Sequence, residues 1–383
     1  MEDGPYPFFV RSQTVERINT YSFDCEAVLT AGDGVGVGKV FHYHVGPFDF
    51  HQRVYLFNEF VGVLGRFFYY HLVGNFYKVA LEGGAKSTVD SLRMPLIANF
   101  SFGLPNEHEQ QLIVDFLDRE TAKIDALVEA QNRLIELLKE KRQAVITQSV
   151  TKGLNPKASM KPSGIDWLGD VPAHWDIRPL KYLVSFASGG TPSKERTEYW
   201  EGDVPWASAK DLKSDRLSDT MDHITEQAIH DGAVTLVASG AVVVLVRGMM
   251  LARTFPVVQI DVPMAINQDL KALIGHVGVH NGFLAWLLRG TSAETLNRLD
   301  EAGHGTKALR MEAWTSMKLP VPPPEEQHRI ADFLDEFTAT TDDLIVQVSR
   351  GLELLSERRS ALISAAVTGK IDVRGIASKA EAA

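Results

Sequence analysis

Apolar residues recur at helical spacing along two long stretches of the chain. Ile113, Leu117, Ile124, Leu127, Leu134, Leu138 and Val145 form one stripe; Ile330, Leu334, Leu344, Leu352, Leu355 and Leu362 form the other. The spacing predicts one helix over 105–151 and a second over 322–368. The two stretches align without a gap, and 22 of the 47 aligned positions are identical, including Glu109-Gln110 with Glu326-Gln327 and the Asp-Phe-Leu-Asp runs at Asp115 and Asp332. A helix of about 40 residues is roughly 60 Å long at 1.5 Å rise per residue, well beyond the usual globular helix, and needs a partner. Each copy can be that partner, because stripes in the same register bury one another in a coiled coil. The chain must return across a large intervening domain, so the pairing should be antiparallel. Two amphipathic helices packed on ordinary domains are the plainer alternative. A duplicated unit of this size implies a pseudo-twofold molecule.

The pattern changes between and before the helices. Lys152–Gly164 is rich in Lys, Pro, Gly and Ser and reads as a linker. Ile165–Trp175 sets two tryptophans around Gly-Asp and Pro turns, an anchored start to a domain. Ala241–Val246 and Lys271–Ile274 are β-branched, turn-bounded and strand-like, and a helix is expected at Val279–Arg289. The expected organisation is α+β. A short first domain spans 1–103, a long helix 104–151, a linker 152–164, a full domain 165–320, a second long helix 321–370 and a small polar tail 371–383, disordered from Ile376. The two domains echo one another: Gln52 in His-Gln-Arg matches Gln268 in Asn-Gln-Asp, Lys86 matches Lys307, and the run from Glu2 to Pro7 matches Glu201 to Trp206. The first domain has no counterpart to Asp166–Glu201.

Composition changes this picture little. With 383 residues and 45% hydrophobic content the chain can bury a sizeable core. A single cysteine, Cys25, excludes an intrachain disulfide and makes a reducing cytoplasm the default. No apolar run is long enough to span a bilayer, so no membrane partner is expected. Charge is harder to accommodate. The net charge is −10, and each of the four regions is itself acidic, so a nucleic-acid partner would have to be held by local basic clusters or by other subunits.

Several motifs nevertheless resemble the specificity (S) subunit of type I restriction-modification systems, over nearly the whole chain. They are the proline-rich Leu319-Pro-Val-Pro-Pro-Pro-Glu-Glu-Gln leading into Ile330-Ala-Asp-Phe-Leu-Asp, Glu357-Arg-Arg, Ala366-Val-Thr-Gly-Lys, Ser163-Gly-Ile-Asp-Trp-Leu-Gly, Pro172-Ala-His-Trp, Arg247-Gly-Met and Ile266-Asn-Gln-Asp-Leu-Lys. The resemblance implies two target-recognition domains held apart by two antiparallel long helices, each domain reading one half of a bipartite site in double-stranded DNA. It also implies methyltransferase (M) subunits docked on the helices, a restriction (R) subunit joining that core, and no catalysis or cofactor in this chain. S-adenosylmethionine, ATP and Mg would belong to the partners. The alternative is a truncated, inactive remnant acting only as a coiled-coil scaffold.

Candidate DNA contacts follow residue chemistry. Lys307, after Gly305 and Thr306, and Lys86 lie in glycine-bearing loops where backbone can approach a phosphate and an ammonium can reach it. Arg247 beside Gly248 suits bidentate readout of guanine, and Gln268 and Gln52 suit adenine. Ser208, Lys210, Arg53 and Lys39 are weaker candidates. The alternative is a solvated surface side chain for Lys307 and Lys86, an ion pair within the domain for Arg247, and an amide that satisfies backbone groups for Gln268 and Gln52. The glycines from Gly32 to Gly38 before Lys39 do not form a phosphate loop, because Val40 stands where Ser or Thr is required. His42, His44, His51 and His71 lack acidic or cysteine partners at ligand spacing, so no metal is expected. No paired carboxylates or nucleophile constellation points to catalysis.

Overall fold

The computed structural model describes residues 4–77, 92–301 and 305–374. Glu2, Lys86 and the tail from Ile376 lie outside the described residues. The chain forms two compact units, Met1–Ile135 with Val346–Ala383, and Glu136–Ile345.

In the first unit, β1 (Tyr6–Phe9), β2 (Glu16–Ile18), β3 (Phe23–Ala31), β4 (Phe41–Phe50) and β5 (Val54–Phe57) form a sheet in the order β2-β1-β4-β3-β5. β1 runs parallel to β4, and the other neighbours are antiparallel. β3 is buried along Ala27–Ala31 because both of its faces are covered. Ala27 and Leu29 pack with Phe9, Phe48 and Val54, while Val28 packs with Phe41, Leu72 and Phe76. The helix Gly65–His71 follows, and its Phe67 and Tyr70 pack on Ile113 and Leu117 of the first long helix and Ile363 of the second.

The second unit repeats this arrangement. One sheet has the order 222–224, 200–207, 264–266, 236–237, and another the order 216–217, 257–260, 242–245, 270–275, 184–188. Trp206↔Ala265 repeats the parallel register of Phe8↔Asp49, and Val243↔Val258 repeats the antiparallel register of Leu29↔His42. Val242–Leu245, expected as a strand, is wholly buried. The expected helix spans Asn281–Gly290 and buries Phe283 to Leu288 on every side, as suits a helix packed between a sheet and other helices.

The two long helices span Glu107–Lys152 and Pro324–Val367. Asn106 starts the first: its Oδ1 accepts the Glu109 N–H at 3.0 Å, and its Nδ2 donates to Glu109 Oε2 at 3.0 Å. Pro324 starts the second, where its missing N–H costs nothing. Gly153 (φ 77°) and Gly369 (φ 72°) follow the ends in the left-handed conformation that terminates helices. The expected antiparallel pairing is present in each unit. In the first, Arg359 pairs with Asp125 (3.0 Å) and Gly351 faces Gln131; in the second, Arg142 pairs with Asp342 (3.2 Å).

Two expectations need correction. The predicted stripe drifts at mid-helix: Leu127, Leu134 and Leu344 are exposed, and the less accessible positions are Val128, Gln131, Ile135 and Leu138 on one helix and Ile345, Val348, Leu352 and Leu355 on the other. Adjacent apolar residues offer two stripes about 100° apart, and only packing selects between them. The stretch read as a linker is also partly structured, since Met160–Pro162 pairs with Asp170–Pro172.

Candidate nucleic-acid interface

In the second unit, the parallel strands 200–207 and 264–266 end together, with Asn267 N–H donating to the Ala207 carbonyl at 2.9 Å. This places Ser208 and Lys210 beside Asn267, Gln268 and Asp269. Ser208 Oγ and N–H both donate to Asp211 Oδ2 at 2.9 Å, and Lys210 Nζ pairs with Asp222 at 2.6 Å, which holds the ammonium's pKa above its ordinary value. Gln268 accepts a hydrogen bond from Thr191. Lys271, on the next strand, donates to Ser188; composition gave no reason to single it out.

Arg247 reaches the same turn. Its guanidinium pairs with Asp269 Oδ1 at 2.7 Å, and the side chain remains 54% exposed, so part of its donor fork faces solvent. Its strand pairs antiparallel with Lys307–Leu309, placing Gly248 opposite Lys307. Lys307 pairs with Glu301 at 2.7 Å, and this contact lowers the glutamate's pKa. Gly305 (φ 74°) and Thr306 lead into that strand, with open space around the glycine. Arg247, Lys307, Gln268, Ser208 and Lys210 thus gather around adjoining strand ends, each held by an oxygen of its own unit.

The first unit builds the corresponding place with the charges reversed. Asp33 follows β3 where Arg247 follows the strand 242–245, and Arg53 precedes β5 where Asp269 precedes 270–275. Arg53 NH1 pairs with Asp33 Oδ2 at 2.8 Å, and Arg11 NH1 pairs with Asp33 Oδ1 at 2.7 Å. Arg11 and Arg53 hold the Asp33 carboxyl below its ordinary pKa. Gln52 is exposed beside Arg53. Lys39 sits 5.8 Å from the centre of the Tyr77 ring, after a turn in which a Cβ on Gly36 would strike the Arg11 carbonyl at 2.5 Å. Sequence reasoning missed Arg11, whose place is set by the parallel register of β1 with β4.

His42 and His44 are used in packing. His42 Nε2 lies 2.9 Å from the Ser12 carbonyl, and burial lowers its pKa; His44 packs against Phe9 and Phe48. Among the described residues no group of His, Cys, Asp and Glu could hold a metal ion, and no helix is long and apolar enough to cross a membrane.

A family described as the type I restriction modification DNA specificity domain matches residues 1–137 and 172–354. The EcoR124I/EcoR124II specificity subunit of Escherichia coli is 32% identical over 51% of this chain and 46% of its own length. The EcoDI specificity subunit of E. coli is 25% identical over 96% of this chain and 83% of its own. That near-full-length likeness argues against the inert-remnant alternative. The fold is similar to a chain in a structure of a type I restriction-modification system described in terms of complex assembly and conformational transition, with a TM-score of 0.71 at 14% identity, covering 96% of this chain and 92% of that one. It is also similar to the HsdS subunit of Thermoanaerobacter tengcongensis, with a TM-score of 0.50 at 13% identity over 96% and 91%. The two sheet units, the paired long helices and a family match extending over most of the chain place this protein in the family of type I restriction-modification DNA specificity subunits.

Proposed function

We propose that each sheet unit reads one half of a bipartite double-stranded DNA site, and that the chain directs methylation and cleavage performed by methyltransferase and restriction subunits. The observation that carries this reading is the cluster of paired cations at matching strand ends in both units. Asp269 holds the Arg247 guanidinium by one side of its fork and leaves the other donors for the O6 and N7 of a guanine. Lys307 offers a compact charge suited to a phosphate, while Gln268 and Gln52 offer amides suited to an adenine. The chain itself is non-catalytic and carries no cofactor; S-adenosylmethionine, ATP and Mg serve the partner subunits. The single half-buried cysteine supports a cytoplasmic setting.

The net charge of −10 opposes DNA, so partners must supply much of the phosphate clamp. Electrophoretic mobility shift across a salt series tests this. Specific, salt-resistant binding is expected only with methyltransferase subunits present, and equally specific binding by the isolated chain would contradict the division of labour.

A further inference from the structure

Each unit mounts one apolar side chain outward at the same step of the repeat. The strand pairs Ala31↔Val54 and Leu245↔Leu270 stand in the same register, so Asp33 and Arg247 follow their strands at equivalent positions. Two residues further on, each chain segment carries an apolar residue in a one-turn 3-10 helix, Gly34–Gly36 in the first unit and Met249–Ala252 in the second. Val35 is 91% exposed and Met249 is 71% exposed.

The turns that carry these residues are anchored from beneath. Two residues after Met249, Leu251 is buried, and Met250 packs partly buried against the same core. Two residues after Val35, Val37 packs against the cluster of Val28, Phe41 and Leu72, and Gly34 opens the turn with a φ of 78°. Each turn therefore holds its neighbouring apolar residue inward and one outward. A lone exposed apolar residue is ordinary. Here it recurs at one step of a repeat whose two sequences, Gly-Val-Gly-Val and Gly-Met-Met-Leu, otherwise differ. The surroundings are cationic: Arg247 remains half-exposed and Lys307 lies opposite Gly248, while Arg11 and Arg53 flank Asp33. An apolar tip beside cations suits a partner with an anionic rim and apolar groups inside it. The major groove of DNA is such a partner, with phosphates along its edges and thymine methyls on its floor.

We propose that Met249 and Val35 each press on the C5-methyl of a thymine in the major groove, as specificity-determining residues of their own half-sites. The inference rests on the reading of each unit as a DNA-recognition unit, and adds the apolar part of the readout to the polar part offered by Arg247 and Gln268 in one unit and Gln52 in the other. A guanidinium or an amide distinguishes guanine or adenine through hydrogen bonds, whereas the thymine methyl offers none and is registered by apolar contact. The unbranched thioether of Met249 has the reach and adaptability to settle on a methyl beside Arg247. Val35, stiff at χ1, presents its methyls from a turn tip at little cost in rotamer freedom. Burying one methyl in this way is worth about fourfold in affinity.

The test uses the full chain assembled with methyltransferase subunits and a duplex carrying the motif that this complex methylates. Its binding is compared with that of duplexes in which single thymines are replaced by deoxyuridine, which keeps every hydrogen bond and lacks only the methyl. One such replacement in each half is expected to weaken binding about fourfold. Met249→Ala should weaken binding of the thymine duplex to the same extent and erase the deoxyuridine effect in one half alone; Val35→Ala should do so in the other half alone. Met249→Leu should retain the effect, and an unchanged thermal unfolding midpoint shows that each variant is folded. Specific binding with no deoxyuridine effect, or an effect that persists in both alanine variants, would overturn the inference and leave the DNA reading standing. Absence of specific binding by the parent complex would overturn both. Weaker assembly of Met249→Ala with the methyltransferase subunits, with thymine discrimination intact, would overturn it in favour of a protein contact.

Discussion

Gln110 and Gln327 occupy equivalent positions on the two long helices and make the same three hydrogen bonds. Gln110 Oε1 accepts from Leu64 N–H at 2.8 Å, and its Nε2 donates to the carbonyls of Gly62 (3.2 Å) and Pro105 (2.9 Å). Gln327 Oε1 accepts from His280 N–H at 2.8 Å, and its Nε2 donates to those of Gly278 (3.0 Å) and Pro322 (2.9 Å). Both side chains are 1% exposed, and both glycines are in the left-handed conformation, with φ of 71° and 87°. One amide thus ties a sheet unit's final turn to the start of a long helix, twice over. Asp118 with Tyr70 and Asp335 with Trp286 repeat the tie two turns along.

Removing the buried amide leaves an N–H and two carbonyls without their protein partner; of these groups only the Pro322 carbonyl belongs to a buried residue. Gln110→Ala and Gln327→Ala are each expected to destabilise the chain by about 1–3 kcal/mol. Chemical denaturation checks this; a change within error for either variant would mean that water replaces the amide at little cost.

The reversed pairs Arg247–Asp269 and Asp33–Arg53 show that this sheet end accepts either polarity. Exposed ion pairs contribute only about 0–1 kcal/mol, so R247D with D269R should unfold close to the parent. DNA recognition should not survive the exchange, because a carboxylate would then follow the strand where the guanidinium stood. Thermal unfolding and binding of the partner-bound complex separate the two effects. Parental affinity for every DNA variant would remove Arg247 from the interface.

What the sequence reveals depends on how far apart the cooperating residues lie. The long helices were legible because 22 identities in 47 positions impose one pattern twice, and their antiparallel pairing follows from chain return. The mid-helix register was not, because Leu127 and Val128 are both apolar and only the partner helix chooses between them. At the candidate interface, Arg247 and Gln268 were marked by their chemistry, whereas Asp269, Arg11 and Asp33 gain meaning only through strand adjacency.

Burial pushes the His71 imidazole down to about 4, among Phe67 and Phe102. Between that value and an unfolded value near 6.5 the unfolded chain binds more protons, so this group's contribution is full above about pH 6.5 and is lost as pH falls toward about 4. The slope from one proton is at most about 1.4 kcal/mol per pH unit. His71→Phe should flatten the acid side of the stability profile measured by urea denaturation. An unchanged slope would assign the acid sensitivity to other groups.

The central claim is that each unit reads its own half of a bipartite site, and methylome sequencing of cells expressing this chain with its methyltransferase subunits tests it most directly. The account predicts a two-part methylated motif with an unread spacer. It further predicts that Arg247→Ala relaxes one position, by about 1 to 3 kcal/mol of discrimination, in one half only, whereas Lys307→Ala lowers methylation uniformly. A motif read in a single block, or relaxation in both halves from Arg247→Ala alone, would contradict it.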